Sequence, residues 1–382
     1  MAAPRQGAVP TEARRQATTR DRTILKPLLP DSFVDYREDG GEPVGSTGDQ
    51  ALNAETRWEA MAEAGYLTPN ELFFVRSHAP TPLIDRETWE LRVVGPGVEN
   101  ELTLGYEDLL GLPRVSVVQA LECAGNGRRF FEERQGRVAP GTPWRLGAIG
   151  VAEWTGVPLR KVLSLAGVRG SARDVMLEGL DAVRMRRPIP LAKALEEDTL
   201  LIFGMNGEEL PPDHGFPVRA LVPRWAAVAS VKWIGEIFVS EEPLYSPWNT
   251  DQYVLTGGRY GAEREPVTDQ VPKSALELTW PARIAAGRHT ITGRSWSSNA
   301  TISLVEYSVD GGPWWPARLF EPNIAGAWVR WHFTWDAAPG DHELRVRAAD
   351  EAGNVQPERA AWNELGYLYG GIVGHPVKVE PG

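Results

Sequence analysis

The sequence predicts an α+β unit followed by an all-β sandwich, and three observations support that expectation. Up to about residue 265, apolar runs of strand length are mixed with two stretches of helical period, without the regular βαβ repeat that builds a doubly wound sheet. Beyond about residue 266 the helical period disappears, and apolar and polar residues alternate between turn signals. The 382 residues include 39 glycines and 31 prolines, which suits many short elements joined by turns. A chain of this length exceeds one ordinary core, so two units with flanking segments are expected.

Taken in order, residues 1–55 are rich in Pro, Gly, Thr and charge without a clear period, and read as an arm lying on the surface. Residues 55–67 (ETRWEAMAEAGYL) read as a short helix, and residues 70–78, 89–95 and 115–123 read as strands. Pro158 opens PLRKVLSLAGV, where a proline at the first turn and Gly167 after the last apolar residue bound a second helix. Residues 174–183 and 199–207 are again strand-like, the second ending at an Asn206-Gly207 turn. Residues 56–265 thus form the α+β unit. Four alternating runs follow, at residues 289–297, 302–312, 327–335 and 342–350, with turn signals at Asp310-Gly311 and Gly353-Asn354. Residues 266–382 have the size and pattern of an immunoglobulin-like sandwich.

Fifty-one acidic against forty basic residues give a net charge of −11, which opposes general binding to nucleic acid or anionic membrane. No apolar run approaches the roughly 20 residues of a membrane span. Arg14-Arg15 resembles the start of a twin-arginine export signal, but polar residues follow where an apolar segment belongs. As written the sequence reads as cytoplasmic; a leader upstream would make the protein periplasmic.

The one cysteine, Cys123, lies in LECAGNGRR at residues 121–129. A lone cysteine is more often a small buried hydrophobe than a reactive group. Here, however, Ala124, Gly125 and Gly127 leave room for a bulky group to approach, and Arg128 and Arg129 favour thiolate. Such a thiolate serves as a nucleophile or a soft metal ligand. A second cluster, His214, Arg219, Ser230 and Lys232, gathers cations and a hydroxyl suited to an anionic ligand, although dispersed charges alone read as a solvated face. Arg76 and His78 fall on one side of a strand, which taken alone reads as an ordinary edge. CxxC, HExxH, Walker and GxSxG motifs are missing.

With ECAGNGR (122–128), HGFPVR (214–219), SVKW (230–233) and WNTDQY (248–253) in this order, the sequence resembles the sulfite oxidase family of molybdenum enzymes from about residue 55 to the end. The resemblance implies a molybdenum–molybdopterin cofactor with Cys123 as protein ligand, completing a square-pyramidal site with two dithiolene sulfurs and two oxo groups. It implies that Arg76, Arg128 and Trp144 line the substrate pocket and that Tyr253 hydrogen-bonds near the metal. Arg76, His78, Asp181, His214, Arg219, Ser230 and Lys232 would hold the molybdopterin. The implied reaction is oxygen-atom transfer, oxidising sulfite to sulfate. With no haem domain on this chain, electrons would pass to a cytochrome-like protein or dioxygen, and the sandwich would mediate a homodimer.

The chain departs from the family pattern at residues 362–366 (WNELG), where Leu365 replaces a substrate-facing arginine, and also at Ser77 and Arg224. Leu365 keeps open the same cofactor acting on sulfane sulfur or a sulfoxide. From other classes come a cysteine hydrolase with Cys123 as nucleophile and His214 as base, and a binding module whose sandwich presents Trp314, Trp315, Trp328, Trp331 and Trp335.

Overall fold

A computed structural model describes residues 51–381 and, in addition, the backbone of residues 33–35. The predicted arm lies mostly outside the described residues, but its end is part of the fold. Strand β1 (Phe33–Asp35) pairs antiparallel with β2 (Asn53–Thr56), which pairs with β3 (Val75–Arg76). β2 is buried throughout, so the division placed at residue 55 falls inside a strand. The cause is long-range: the Glu55 carboxylate accepts the Arg145 and Gly147 N–H groups, both at 3.1 Å.

The expected helix over residues 55–67 is reduced to one 3₁₀ turn, Trp58–Met61, without a side-chain cap. Tertiary contacts override its helical period. Trp58 stacks on Trp296 with centroids 5.8 Å apart, and the buried Arg294 guanidinium donates to the carbonyls of Met61, Gly65 and Tyr66 at 3.0–3.1 Å. Those carbonyls need no intrahelical donors. The strand expected over residues 70–78 likewise begins as a 3₁₀ turn, Asn70–Leu72, and only β3 pairs.

Next come β4 (Glu90–Val94), β5 (Leu102–Gly105), α1 (Tyr106–Leu110), β6 (Val115–Glu122), α2 (Arg129–Gln135) and β7 (Ile149–Pro158). They are followed by α3 (Leu159–Ala166), β8 (Asp174–Gly179), β9 (Arg186–Pro190), α4 (Leu191–Ala194), β10 (Leu200–Met205) and β11 (Glu208–Glu209). Then come β12 (Arg219–Leu221), β13 (Ile234–Ser240), α5 (Pro247–Thr250), and the pair β14 (Val254–Leu255) and β15 (Glu265–Pro266). One sheet runs β11-β10-β7-β6 with β12 also on β10; another runs β5-β4-β13-β8-β9. Their inner faces share a core that includes Leu91, Val157, Leu177, Leu201, Val218 and Ile237. Helix α3 closes it with Leu159, Val162, Leu163 and Ala166, the i, i+3, i+4, i+7 stripe of an amphipathic helix, and ends at Gly167 with φ +71°. On the other face of the β7 sheet, Phe73, Phe74, Trp144 and Trp154 pack around Cys123.

The remaining strands are β16 (Lys273–Leu276), β17 (Ala282–Ala285), β18 (Gly287–Trp296), β19 (Ile302–Val309), β20 (Trp315–Pro316) and β21 (Arg318–Phe320), then β22 (Trp328–Ala337), β23 (Gly340–Asp350) and β24 (Gly374–Glu380). They form two sheets, β16-β18-β22-β21 and β17-β24-β23-β19-β20, around a core with Val305, Val329, Trp331, Leu344 and Val377. The alternation expected from the sequence is present, and the turn at Asp310-Gly311 has φ of +51° and +70°. Trp328, Trp331 and Trp335 are core residues, whereas Trp315 is 58% exposed and Trp314 lies against Arg345 and Arg347. The two units meet in a shared apolar junction, with Phe130, Phe131 and Val151 from one side and Ala275, Trp296, Trp328 and Tyr369 from the other.

Candidate functional site

Cys123 leaves the end of β6 and enters a tight turn. Its N–H donates to Ala148 O and its carbonyl accepts the Asn126 N–H, both at 2.9 Å. Gly127, at φ +91°, lets the chain reverse against Tyr369, whose Cβ would lie 3.0 Å from any added side chain. The thiol, in a residue only 6% exposed, belongs to the wall of a cleft that is also lined by Phe73, Ser77 and Trp233.

Nine of the eleven residues expected at the site line this cleft: Arg76, His78, Cys123, Asp181, His214, Arg219, Ser230, Lys232 and Tyr253. The other two stand behind the wall. Trp144 is fully buried in the aromatic packing around Cys123. Arg128 is buried too, its Nη1 donating to Thr142 O at 2.9 Å and its Nε to Leu365 O at 3.2 Å, with its guanidinium 5.1 Å from the Tyr367 ring. Burial lowers its pKa, while Tyr367, Cys123 and Tyr253 act in the opposite direction. Arg129 does not join it: its guanidinium turns outward to Glu133 at 2.5 Å, so one arginine, not two, faces the cysteine side.

The cationic wall is built from backbone acceptors. Arg219, on β12, donates to His214 O at 2.9 Å and Ser230 O at 2.8 Å, and burial pushes its pKa down to about 9. Lys232 Nζ donates to Ser77 Oγ at 2.6 Å and Asp213 O at 3.0 Å, and sits 4.2 Å from the centre of the Trp233 ring. Burial and then Arg219 push it down to about 7, with Asp213 and Asp181 opposing. Gly215, at φ +114°, permits this crowding, since a Cβ there would fall 2.9 Å from the Arg219 Cβ and 3.1 Å from the Lys232 Cβ. Ser230 Oγ accepts the Val222 N–H at 2.9 Å, leaving its own proton to offer.

Above Cys123, Tyr253 occupies a left-handed conformation (φ +54°) and stacks on Tyr367 at 5.2 Å. Its hydroxyl lies 3.0 Å from His78 Nε2. Burial raises the Tyr253 pKa, and burial with Arg76 and Lys232 holds His78 well below its ordinary value, so the pair is a neutral phenol and a neutral imidazole. Arg76 Nη1 donates to Asn53 Oδ1 at 2.8 Å. Burial raises Asp181, whose carboxylate accepts the Met185 N–H at 2.8 Å. Sequence reasoning missed Asn53 and Tyr367; each meets its partner across 23 to 114 residues, and nothing local marks it. Ser77, which the sequence marks as a departure from the family pattern, lies against Lys232.

Among the described residues, no ion pair joins Arg128, Arg219 or Lys232 to a carboxylate, and no group of three His, Cys, Asp or Glu could cage a metal ion. Buried cations without anionic partners fit a polyanionic ligand, and one thiol at the end of that cleft fits a metal that arrives with most of its own donors. The residues therefore suit molybdopterin. The fold and site together are those of a molybdopterin-binding protein.

Comparison with known proteins agrees. Residues 78–248 match the oxidoreductase molybdopterin binding domain, and residues 272–371 the Mo-co oxidoreductase dimerisation domain. The chain is 37% identical over 343 residues to the sulfite oxidase of Gallus gallus, covering 83% of this chain and 74% of that protein. Mitochondrial sulfite oxidase of Mus musculus is 37% identical over 344 residues, and there the chain spans only 62% of the relative's length. The crystal structure of the sulfane dehydrogenase SoxCD from Paracoccus pantotrophus superposes with a TM-score of 0.76 at 30% identity, covering 88% of each chain. This chain belongs to the sulfite oxidase family. No helix among the described residues is long and apolar enough to cross a membrane.

Proposed function

We propose that the protein is a molybdenum oxidoreductase that transfers an oxygen atom to a small sulfur oxyanion, oxidising sulfite to sulfate and passing electrons to a separate acceptor. The observation that carries this reading is the convergence of a buried thiol and a cationic wall on one cleft. The bound cofactor supplies the oxygen atom and takes up two electrons, with Cys123 as its protein ligand. Arg219, Lys232, Ser230 and His214, with Asp181 and His78, would hold the pterin and its phosphate, Arg219 and Lys232 gaining the ion-pair partner they lack among the described residues. Arg76, on the cleft wall, would fix the substrate anion, and Arg128, buried behind that wall, would add its positive field. Tyr253 keeps its proton at Oη and, with His78, would offer a fixed neutral hydrogen-bonding pair on the cleft wall. Such preset dipoles act without reorganisation, and losing one is expected to cost on the order of 10² in rate.

In the same reading, residues 56–265 form the cofactor-binding unit, and residues 266–382 form an immunoglobulin-like sandwich through which two copies associate. A second substrate is favoured by one observation. Leu365 packs with Ala124, Tyr253 and Tyr367 in an apolar cluster, and its carbonyl occupies Arg128 Nε. An apolar residue where the family resemblance places an arginine leaves one cation fewer beside the site, which supports a sulfane sulfur or sulfoxide substrate as the second reading.

The test is metal analysis of the purified protein together with turnover of sulfite, thiosulfate and methionine sulfoxide, using an artificial one-electron acceptor. One molybdenum per chain with sulfite as the best substrate is expected, and Cys123→Ser should abolish turnover while leaving thermal unfolding unchanged. Sulfite turnover retained in Cys123→Ser would overturn the ligand assignment.

A further inference from the structure

Immediately before Cys123 lies a buried ion pair for which the reaction has no use. Lys273 Nζ donates to Glu122 Oε1 at 2.6 Å, with side chains only 1% and 4% exposed. The same ammonium donates to Asn126 O at 3.2 Å, Asn126 Nδ2 donates to Glu122 Oε1 at 2.9 Å, and Asn126 Oδ1 accepts the Ala148 N–H at 3.1 Å. Cys123 lies within this ring, bonded through its own main chain to Ala148 and Asn126. Lys273 is the first residue of β16, so its charge is brought from the C-terminal sandwich. That unit grips the turn at two further points: Gln270 Nε2 donates to Glu122 O at 3.1 Å, and the Leu368 N–H donates to Ala124 O at 3.0 Å.

A buried ion pair seldom stabilises a fold more than a well-packed apolar pair of the same volume would. This pair does something an apolar pair cannot, because it orients three hydrogen-bonding groups of one turn at once. We propose that Lys273 is a positioning residue for Cys123: through Glu122 and Asn126 it fixes the turn at residues 123–126 and thereby aims the sulfur into the cleft. The C-terminal sandwich is then part of the metal site as well as an association unit. Without the ammonium, the Glu122 carboxylate loses its only charged partner among the described residues and pulls Asn126 out of its bond to Ala148, freeing the turn. Two neutral amides at positions 122 and 273 can re-form the link.

The inference rests on Cys123 being the metal ligand, and its test separates the two ideas. Because Cys123 is the only cysteine, its reaction with Ellman's reagent in the full-length, cofactor-free chain reports the turn without any metal. Molybdenum content and the Mo(V) resonance of the loaded protein report ligation. Lys273→Met should speed the thiol reaction and lower molybdenum retention, each by about tenfold or more, as expected when a ligand loses the group that orients it. The double variant Glu122→Gln/Lys273→Gln should return both toward the wild-type values and restore the resonance. Unchanged thiol rate and metal content in Lys273→Met would overturn the proposal, as would a double variant no better than the single one. If Lys273→Met fails to fold, the double variant alone decides, since it must fold and keep the wild-type thiol rate. A faster thiol with an unchanged Mo(V) resonance would refute Cys123 as ligand, and the proposal with it.

Discussion

Lys232 gives a stability test that needs no cofactor. In the folded chain burial holds its ammonium at a pKa of about 7, against an ordinary 10.5. Between those values the unfolded chain keeps a proton that the folded chain has released, so unfolding takes up a proton and stability rises with pH. The full displacement corresponds to about 5 kcal/mol. Half of the folded lysines are already neutral at pH 7, so the gain between pH 7 and pH 9 comes to about 2 kcal/mol. Urea unfolding of the cofactor-free protein at the two pH values, beside Lys232→Met, isolates this contribution because other titrating groups cancel in the comparison. The wild type should gain about 2 kcal/mol more than the variant over that interval. Equal gains would mean that the ammonium stays charged in the fold, and the picture of a cation awaiting an anionic partner would fail.

Arg294→Met removes the guanidinium that serves Glu277 at 2.7 Å and the carbonyls of Met61, Gly65 and Tyr66, stranding a carboxylate that is 5% exposed. Denaturant unfolding should register a loss of about 3–5 kcal/mol. Tyr253→Phe deletes the hydroxyl facing His78 while keeping the stack on Tyr367. Steady-state kinetics should record a lower kcat, by on the order of 10², with KM little changed.

Legibility in the sequence followed the range of the interactions. Strands β18, β19, β22 and β23 were visible because each has one face on the core and the other toward solvent or neighbours, which writes period two into the residues. Helix α3 was visible through its stripe and its terminal glycine, although Pro158 stands one residue before the first helical position. The helix expected over residues 55–67 failed because Trp58 and the carbonyls of Met61, Gly65 and Tyr66 are claimed by Trp296 and Arg294, more than 200 residues away. At the site, the motifs and the family resemblance delivered nine of the residues lining the cleft. What escaped was their support: Asn53 beside Arg76, Tyr367 against Tyr253, and the outward turn of Arg129 toward Glu133. None of these leaves a local trace, because each depends on which segments the topology brings side by side.

The seam formed by Phe130, Phe131, Val151, Trp296, Trp328 and Tyr369 constrains anyone who cuts this protein apart. Cleaving near residue 266 would bare a face of large aromatic rings on both fragments and, on the first, a carboxylate at Glu122 stripped of Lys273. Neither piece is a ready-made module. A chimera that borrows the β-rich half from a relative must bring the matching half of this seam with it, or the graft will aggregate before any chemistry can be measured.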